Sequence, residues 1–379
     1  MKTKTQIPTT ILPTTMTAAV LTGHGGFDKL EIHHDWPVPT PQVGEVLIKV
    51  AACGMNNTDI NTRTGWYDDS VDSSTTEGGA SGFDTVEDSS IGGWGSTGIQ
   101  FPRIQGADTV GTVVALGDGV ADEWLGARVM SDNWLRDWSQ PMNQSKAGYI
   151  GSECDGGYAQ YVALPITNVG RINSDWRDVE LATLSCSYTT AENMLVRAQV
   201  TADDTVLVTG ASGGVGSALI QLVKRRGAKV IALTNETKAE EVRAVGADAV
   251  IRRKLDNWVD VIRSATGGDK VTVAADVVGG PVFDQLMAVL ARGGRYVISG
   301  AIGGKQVTTD ISHLYLNDWM WIGSTVTELN VFPDLLRYVE NNEIRPLLTA
   351  TYPLEEIHQA QEAFLAKKYV GNMVLVPPH

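Results

Sequence analysis

Residues 206–233 read VLVTGASGGVGSALIQLVKRRGAKVIAL. An aliphatic run ends at Thr209, glycines follow at positions 210, 213, 214 and 216, and an apolar-periodic stretch runs to Gly227 before a second aliphatic run. That order spells strand, tight turn, helix, strand. Gly213 and Gly214 allow backbone to approach a pyrophosphate without a Cβ clash. Gly216, near which the helix is expected to open, allows the helix to sit close to the sheet. The free N–H groups at the helix start offer phosphate the positive end of the helix dipole. A glycine pattern alone is weak. In this frame it predicts dinucleotide binding, the alternative being a plain tight turn in an α/β sheet.

The same texture extends outward. AKVIAL, DAVI, VTVAADVVGG and RYVISGAI read as strands, and TKAEEVRAVG and PVFDQLMAVLARGG as intervening helices. The alternation predicts a doubly wound parallel sheet, an α/β fold, over residues 171–328. Residues 16–170 read differently: TAAVLTG, LEIHHDWPV, EVLIKVAACG and TVGTVVALG are short β-branched runs broken by Gly and Pro. After 328 the chain returns to mixed texture, with the amphipathic LEEIHQAQEAFLAKK and a closing strand in GNMVLVPP. Residues 329–379 are therefore expected to rejoin the β-rich domain, and residues 1–15 to form a frayed tail.

The 379-residue chain carries 43% apolar and 20% charged residues, enough for two domains. A net charge of −14 argues against a non-specific nucleic-acid or anionic-membrane surface, which would need a basic face. No run of 18 apolar residues exists, and the first twenty residues lack the uninterrupted apolar stretch of a signal peptide. Cysteines 53, 154 and 186, odd in number and scattered, fit a reducing, cytoplasmic compartment.

Cofactor choice turns on the end of the second strand, ALTNETK. A carboxylate there binds the ribose hydroxyls of NAD. Here Thr234 and Asn235 stand at the expected place, and Lys238, Arg252 and Arg253 lie near strand ends, able to pair with a 2′-phosphate. NADPH is the expected cofactor. Glu236 keeps NADH as the lesser option, and surface solvation is the plain alternative for the basic residues.

Residues 53–67, CGMNNTDINTRTGWY, follow a strand with an unusual density of polar groups. This is either a solvated turn or the wall of a site. Residues 68–100 then hold seven acidic residues and no basic ones, the composition of a long loop or lid. A second irregular stretch at 131–150 carries Trp134 and Trp138.

Together, GMNNTDI, PRIQGADTVGTVVALG, GGYAQYVALP, TTAENML, VLVTGASGGVG, GADAVI, DVVGG and GGRYVISGAIGG resemble the medium-chain dehydrogenase/reductase superfamily, from about residue 17 to the C-terminus. The resemblance implies a Rossmann domain joined to a GroES-like catalytic domain. ASGGVG with its leading Ala looks like the zinc-free quinone oxidoreductase and enoyl reductase branch. In the zinc branch the residue two after the first motif's glycine is a Cys ligand; here it is Asn56. The Gly-His-Glu ligand motif stands as Gly106-Ala107-Asp108, and only Cys186, four before Thr190, keeps a ligand. An amide and an alanine cannot complete a tetrahedral zinc site, and three cysteines cannot supply a four-cysteine structural lobe. No zinc is expected. Cys53, out of register, reads as a small buried apolar residue, and His24, His33, His34, His313 and His358 fall in no metal spacing.

Without metal, a conjugated carbonyl can still accept hydride at its β-carbon, provided donors stabilise the enolate oxygen and an acid completes the reaction. The resemblance places a proton-donating or orienting tyrosine on Tyr67 and a nicotinamide-facing asparagine on Asn56. Asp59 is expected to orient the loop through backbone N–H groups. An aromatic packing wall and a turn-forming asparagine are the plain readings of Tyr67 and Asn56. Candidate cofactor contacts are Thr190; Ala211, Ser212, Gly213, Gly214, Val215 and Gly216; Thr234, Lys238 and Arg253; Val278 and Gly300. Trp66, Trp94, Trp134 and Trp138 are expected at the cleft rim, where a flat conjugated substrate would stack.

The expected activity is NADPH-dependent, zinc-independent reduction of quinones or activated alkenes. Alternatives are a 2-enoyl-thioester reductase, since crotonyl-CoA carboxylase/reductases carry an insertion near 68–100; an alcohol or carbonyl dehydrogenase; and a non-enzymatic, crystallin-like NADPH binder. Apolar GGRYVISGAI and WMWIGSTV near the far sheet edge suggest a homodimer.

Overall fold

The computed structural model describes residues 12–83, 94, 98–253 and 257–379. Residues 1–11 of the expected tail at 1–15 and most of the acidic insertion's second half lie outside the described residues. The first strand, Thr15–Leu21, already includes Thr15, and Met16 is buried.

Two sheet systems face each other. In the first, the long strand Glu45–Gly54 pairs antiparallel with Asp108–Leu116 and Tyr161–Pro165. The C-terminal strand Asn372–Val376 also pairs antiparallel with it and carries Leu348–Pro353 in parallel on its other side. The C-terminal segment thus completes a sheet begun by the N-terminal strands. A smaller three-stranded sheet pairs Thr15–Leu21 with Leu30–Pro37 and Arg103–Ile104.

The second system is a six-stranded parallel sheet. Thr205–Val208 lies inside it; Lys229–Thr234 and Ala249–Arg252 follow on one side, and Val271–Asp276, Leu290–Ile298 and Met320–Gly323 on the other. Chain order reverses beside Thr205–Val208, so a crevice opens at the carboxyl ends of that strand and Val271–Asp276. Near-continuous aliphatic runs suit strands buried on both faces. One face is covered by the helices Ser185–Arg197 and Gly214–Arg225, with Val331–Glu340 packed beside them; the other meets Trp258, Ile262, Phe283 and Leu286. Among the described residues no helix is long and apolar enough to cross a membrane.

The described part of the insertion buries more than its composition suggests. It forms a short helix, Thr75–Gly78, and buries Val71, Thr75 and Gly79. The reason is the fully buried Arg63, which donates to the carbonyls of Gly25 and Gly79 and to Gln361 Oε1 at 3.0 Å, with its guanidinium 4.7 Å from the Phe27 ring centroid. Trp66 Nε1 adds a 2.9 Å bond to the Ser73 carbonyl.

Candidate active site

The glycine turn lies at the predicted crevice. The helix begins at Gly214, two residues before the expected Gly216, because Gly213 is the extended N-cap residue (φ −78°, ψ 175°). The glycines divide the work differently from the sequence expectation. A Cβ on Gly216 would lie 2.2 Å from the Gly210 carbonyl oxygen, so this position serves close packing. A Cβ on Gly214 would lie 2.1 Å from Asn372 Oδ1 and 2.3 Å from Ser187 Oγ, so it admits protein neighbours. Only Gly213 has open space beside it, its nearest neighbour being the Gly210 oxygen at 3.5 Å.

A cavity of about 580 Å³ runs from this loop to the wall of the other sheet system. Its lining includes Asn56, Tyr67, Thr190, Ser212, Gly213, Gly214, Val215, Gly216, Thr234, Lys238, Arg253, Val278 and Gly300. Two expected site residues stand behind the lining. Ala211 is fully buried, its N–H donating to the Leu233 carbonyl. Asp59 is buried in the first turn of the helix Asn57–Thr64, where Oδ2 accepts from Asn56 N at 2.8 Å and from Tyr158 Oη at 2.7 Å. Burial raises its carboxyl to about 7 in spite of those bonds.

Lys238, Arg253 and Lys367 line the cavity, whereas no carboxylate does so among the described residues. Lys238 Nζ is 3.2 Å from Ser212 Oγ and also donates to the Lys367 carbonyl. Lys367 Nζ donates to Asn57 Oδ1 at 2.8 Å. Desolvation, then the neighbouring Lys238 charge, brings Lys367 down to about 7; Lys238 is also lowered, by desolvation and by Arg253. Cations that discourage one another around a cavity without carboxylates make a site for an anion. Glu236 is turned outward, exposed and paired with Arg252 at 2.6 Å. Thr234 Oγ1, at the end of the second strand, is buried with no hydrogen-bond partner. The open face at Gly213, the helix start and these cations fit a pyridine nucleotide, which the glycine loop, Lys238, Arg253 and Lys367 could hold.

The other end is aromatic. Tyr67 packs on Trp66 (5.6 Å between centroids) and Trp94 (4.7 Å); Trp134 packs on Trp94 (5.3 Å) and Tyr149 (5.0 Å). Trp66, Trp94 and Trp134 line the cavity as expected, but Trp138 is 49% exposed and takes no part. Its segment turns outward beyond the short strand Trp134–Leu135, which pairs with Gly148–Tyr149 and brings Tyr149 inward instead. Tyr67 Oη accepts a long 3.4 Å bond from Asn61 Nδ2, and burial raises its phenol far above neutrality, so it keeps its proton.

At the positions where the zinc branch carries ligands, a hydrogen-bonded hub stands. Asp108, fully buried, accepts from Asn56 Nδ2 (3.0 Å), Asn133 Nδ2 (2.9 Å) and Cys186 N (2.8 Å). Asn133 Nδ2 also reaches Tyr149 Oη (3.2 Å), which donates to Cys186 Sγ (3.2 Å). Burial raises Asp108 to about 6 and pushes the Cys186 thiol well up. With both carboxylate oxygens committed to N–H donors, this donor set does not fit tetrahedral zinc. No cluster of three or more His, Cys, Asp or Glu with metal-binding geometry occurs among the described residues. Cys53 is fully buried in the strand Glu45–Gly54. Asn133, Tyr149 and Lys367 were not anticipated from sequence.

Residues 42–174 match the alcohol dehydrogenase GroES-like domain, and residues 214–341 match the zinc-binding dehydrogenase domain. A solved structure, a putative alcohol dehydrogenase from Sinorhizobium meliloti, is 44% identical with a TM-score of 0.87, covering 97% of this chain and 98% of that one. The chain belongs to the medium-chain dehydrogenase/reductase superfamily. It is therefore an oxidoreductase of a pyridine-nucleotide family that acts on small molecules. Its other relatives span the family's chemistries. An NAD-dependent alcohol dehydrogenase from Sulfurisphaera tokodaii is 28% identical over 90% of this chain and 95% of its own length. A quinone oxidoreductase from Rattus norvegicus is 28% identical over 93% and 95%.

Proposed function

We propose that this chain is an NADPH-dependent, zinc-independent reductase of quinones or carbonyl-conjugated alkenes. The observation that carries this reading is the Asp108 hub, which commits the Asn56 amide to hydrogen bonding where the zinc branch has a ligand, beside Ala107, which offers no ligand atom. The cationic nucleotide end, with Glu236 turned away, supports NADPH over NADH. On this reading residues 171–328 hold the nucleotide, and 16–170 with 329–379 hold the substrate.

Bound there, a reduced nicotinamide supplies hydride to the electrophilic β-carbon of the substrate. The chain's task is to receive the negative charge that moves to the substrate oxygen and to return a proton. Tyr67, protonated and cavity-facing, is the proposed acid; it gives its proton to the enolate and recovers one from solvent. Asn56, in the cavity wall, would face a bound nicotinamide, and Asp59 and Asp108 act as positioning residues by holding its backbone and amide. The aromatic wall orients a flat substrate.

A homodimer belongs to the same proposal. The edge strand Met320–Gly323 exposes Met320 (49%) and Trp321 (36%) beside Ile311 and Tyr315, a face that a second copy would cover. Light scattering at micromolar concentration tests this, and a monomer would refute it.

The functional test is oxidation of NADPH and of NADH by purified protein with 1,4-benzoquinone and 2-cyclohexenone, alongside metal analysis. Turnover with sub-stoichiometric zinc and preference for NADPH is expected. Stoichiometric zinc whose removal abolishes activity, or turnover of alcohols with NAD alone, would overturn the reading.

A further inference from the structure

A loop of the Rossmann side crosses the substrate end and fastens to the insertion. Lys305 Nζ donates to the Asp68 carbonyl at 2.9 Å and lies 4.5 Å from the Trp66 ring centroid. Gln306 Nε2 donates to Asp72 Oδ1 at 2.9 Å, and Thr75 N donates to the Ile302 carbonyl at 3.3 Å. The same loop is anchored to the parallel sheet by Gly303 N, which donates to the Val278 carbonyl at 2.8 Å. Trp66, Ala301 and Ile302 all line the cavity, so these contacts form a roof over its aromatic end.

Charge is unevenly divided along the cleft. The cations of its lining, Lys238, Arg253 and Lys367, all lie at the nucleotide end. At the roof, Asp69, Asp72 and Glu77 are exposed. Lys305 is committed to Trp66 and the Asp68 carbonyl, with the carboxylates of Asp69, Asp72 and Asp68 around it.

We propose that this Lys305–Gln306 latch is a specificity element, which closes over a small, uncharged, flat carbonyl compound and rejects the same acyl group carried on coenzyme A. A coenzyme A thioester brings a phosphorylated, polyanionic tail that must leave the substrate end. There it meets the exposed carboxylates of Asp69, Asp72 and Glu77 and a closed roof, whereas the cations that line the cavity lie at the nucleotide end. A free enone or quinone needs only the aromatic walls and a hydrogen-bond donor for its oxygen.

The inference rests on the reductase reading, and the test separates the two. The substrates are 2-cyclohexenone and crotonyl-CoA, each with saturating NADPH, on wild type and on the double variant Lys305→Ala/Gln306→Ala. NADPH binding, followed by fluorescence, checks that the variant is folded. Wild type is expected to favour cyclohexenone by 100-fold or more in kcat/KM, on the order of two pairs of screened like charges. Opening the latch is expected to raise KM for cyclohexenone and to narrow that preference at least fivefold. A wild type that uses crotonyl-CoA as well as cyclohexenone overturns the specificity proposal while leaving the reductase reading intact. A preference unchanged within twofold in the variant overturns the role of the latch. Failure to turn over either substrate overturns the inference, and the reductase reading falls with it only when 1,4-benzoquinone is not reduced either.

Discussion

Replacing Asp108 with Asn separates what the hub does for stability from what it does for the site. Burial raises this carboxyl from 3.8 to about 6. Two units correspond to about 3 kcal/mol between the protonation states. The sign follows from the folded value lying above the unfolded one. The contribution is fully present below about pH 4 and is lost as pH rises through 6. At pH 8 the ionised group therefore carries a penalty of about 3 kcal/mol, which the uncharged amide lacks.

Against that gain stands a donor mismatch. Cys186 N is backbone and cannot turn over, so the new amide must keep its carbonyl toward it. Its NH2 then faces Asn56 Nδ2, where Asp108 now accepts at 3.0 Å. The conflict ends only if Asn56 inverts its own amide, presenting its carbonyl to position 108. Losing charge-assisted bonds costs about 1.5–3 kcal/mol, so the two effects nearly cancel in stability at pH 8. Activity does not benefit from the cancellation. With Asn56 inverted in the cavity wall, where the proposed reading has it meet the nicotinamide, kcat/KM is expected to fall about 10- to 100-fold. Thermal melts at pH 5 and pH 8, run beside NADPH-oxidation kinetics, read both quantities. Wild type should lose more stability than the variant between those pH values, by about 1.4 kcal/mol, since part of the contribution is already gone at pH 5. A variant with wild-type kcat/KM, or one with the same pH-dependence of stability as wild type, would refute the reasoning.

Three further outcomes follow. Lys238→Ala with Arg253→Ala should weaken NADPH binding about 10- to 100-fold while changing NADH less than about threefold, because only the former carries the 2′-phosphate; equal losses by fluorescence titration would contradict the anion assignment. Arg63→Ala strands the carbonyls of Gly25 and Gly79 and Gln361 Oε1, so urea unfolding should show a loss of about 3–5 kcal/mol; a change below 1 kcal/mol would mean that solvent reaches those acceptors. Tyr67→Phe should lower kcat on cyclohexenone about 10²- to 10⁴-fold with unchanged NADPH affinity, whereas full activity would reduce Tyr67 to a packing group and direct attention to Tyr149, which also lines the cavity.

The parts legible in the sequence are those written in contiguous residues. The parallel sheet announces itself through aliphatic runs and glycine turns, each a local consequence of backbone geometry. The altered ligand positions were readable because Asn56, Ala107 and Cys186 sit inside motifs of known register. What was not legible depends on distant segments meeting. Asn133 and Tyr149 come from a stretch without periodicity; only the pairing of Trp134 with Tyr149 turns them inward and Trp138 out. Lys367 reads as the tail of an amphipathic helix. It reaches the nucleotide end because the C-terminal strand rejoins the first sheet, while Gly371 N reaches across to the Ser212 carbonyl at 3.0 Å.

The hub shows why residue-by-residue reading falls short even where the register is known. Asp108 can remain buried and ionised only while enough N–H groups converge on it. Cys186 supplies one from its backbone, but the other two come from side chains at positions 56 and 133. A zinc ligand at position 56 would remove one of these donors. A histidine at position 107 would leave Asp108 otherwise unchanged and still facing Asn133. Positions 56, 108 and 133 therefore form one electrostatic unit, and a thiol placed at position 56 alone would expose an under-bonded buried carboxylate. That coupling gives the amide at position 56 a structural reason to persist, independent of any contact it makes with cofactor or substrate.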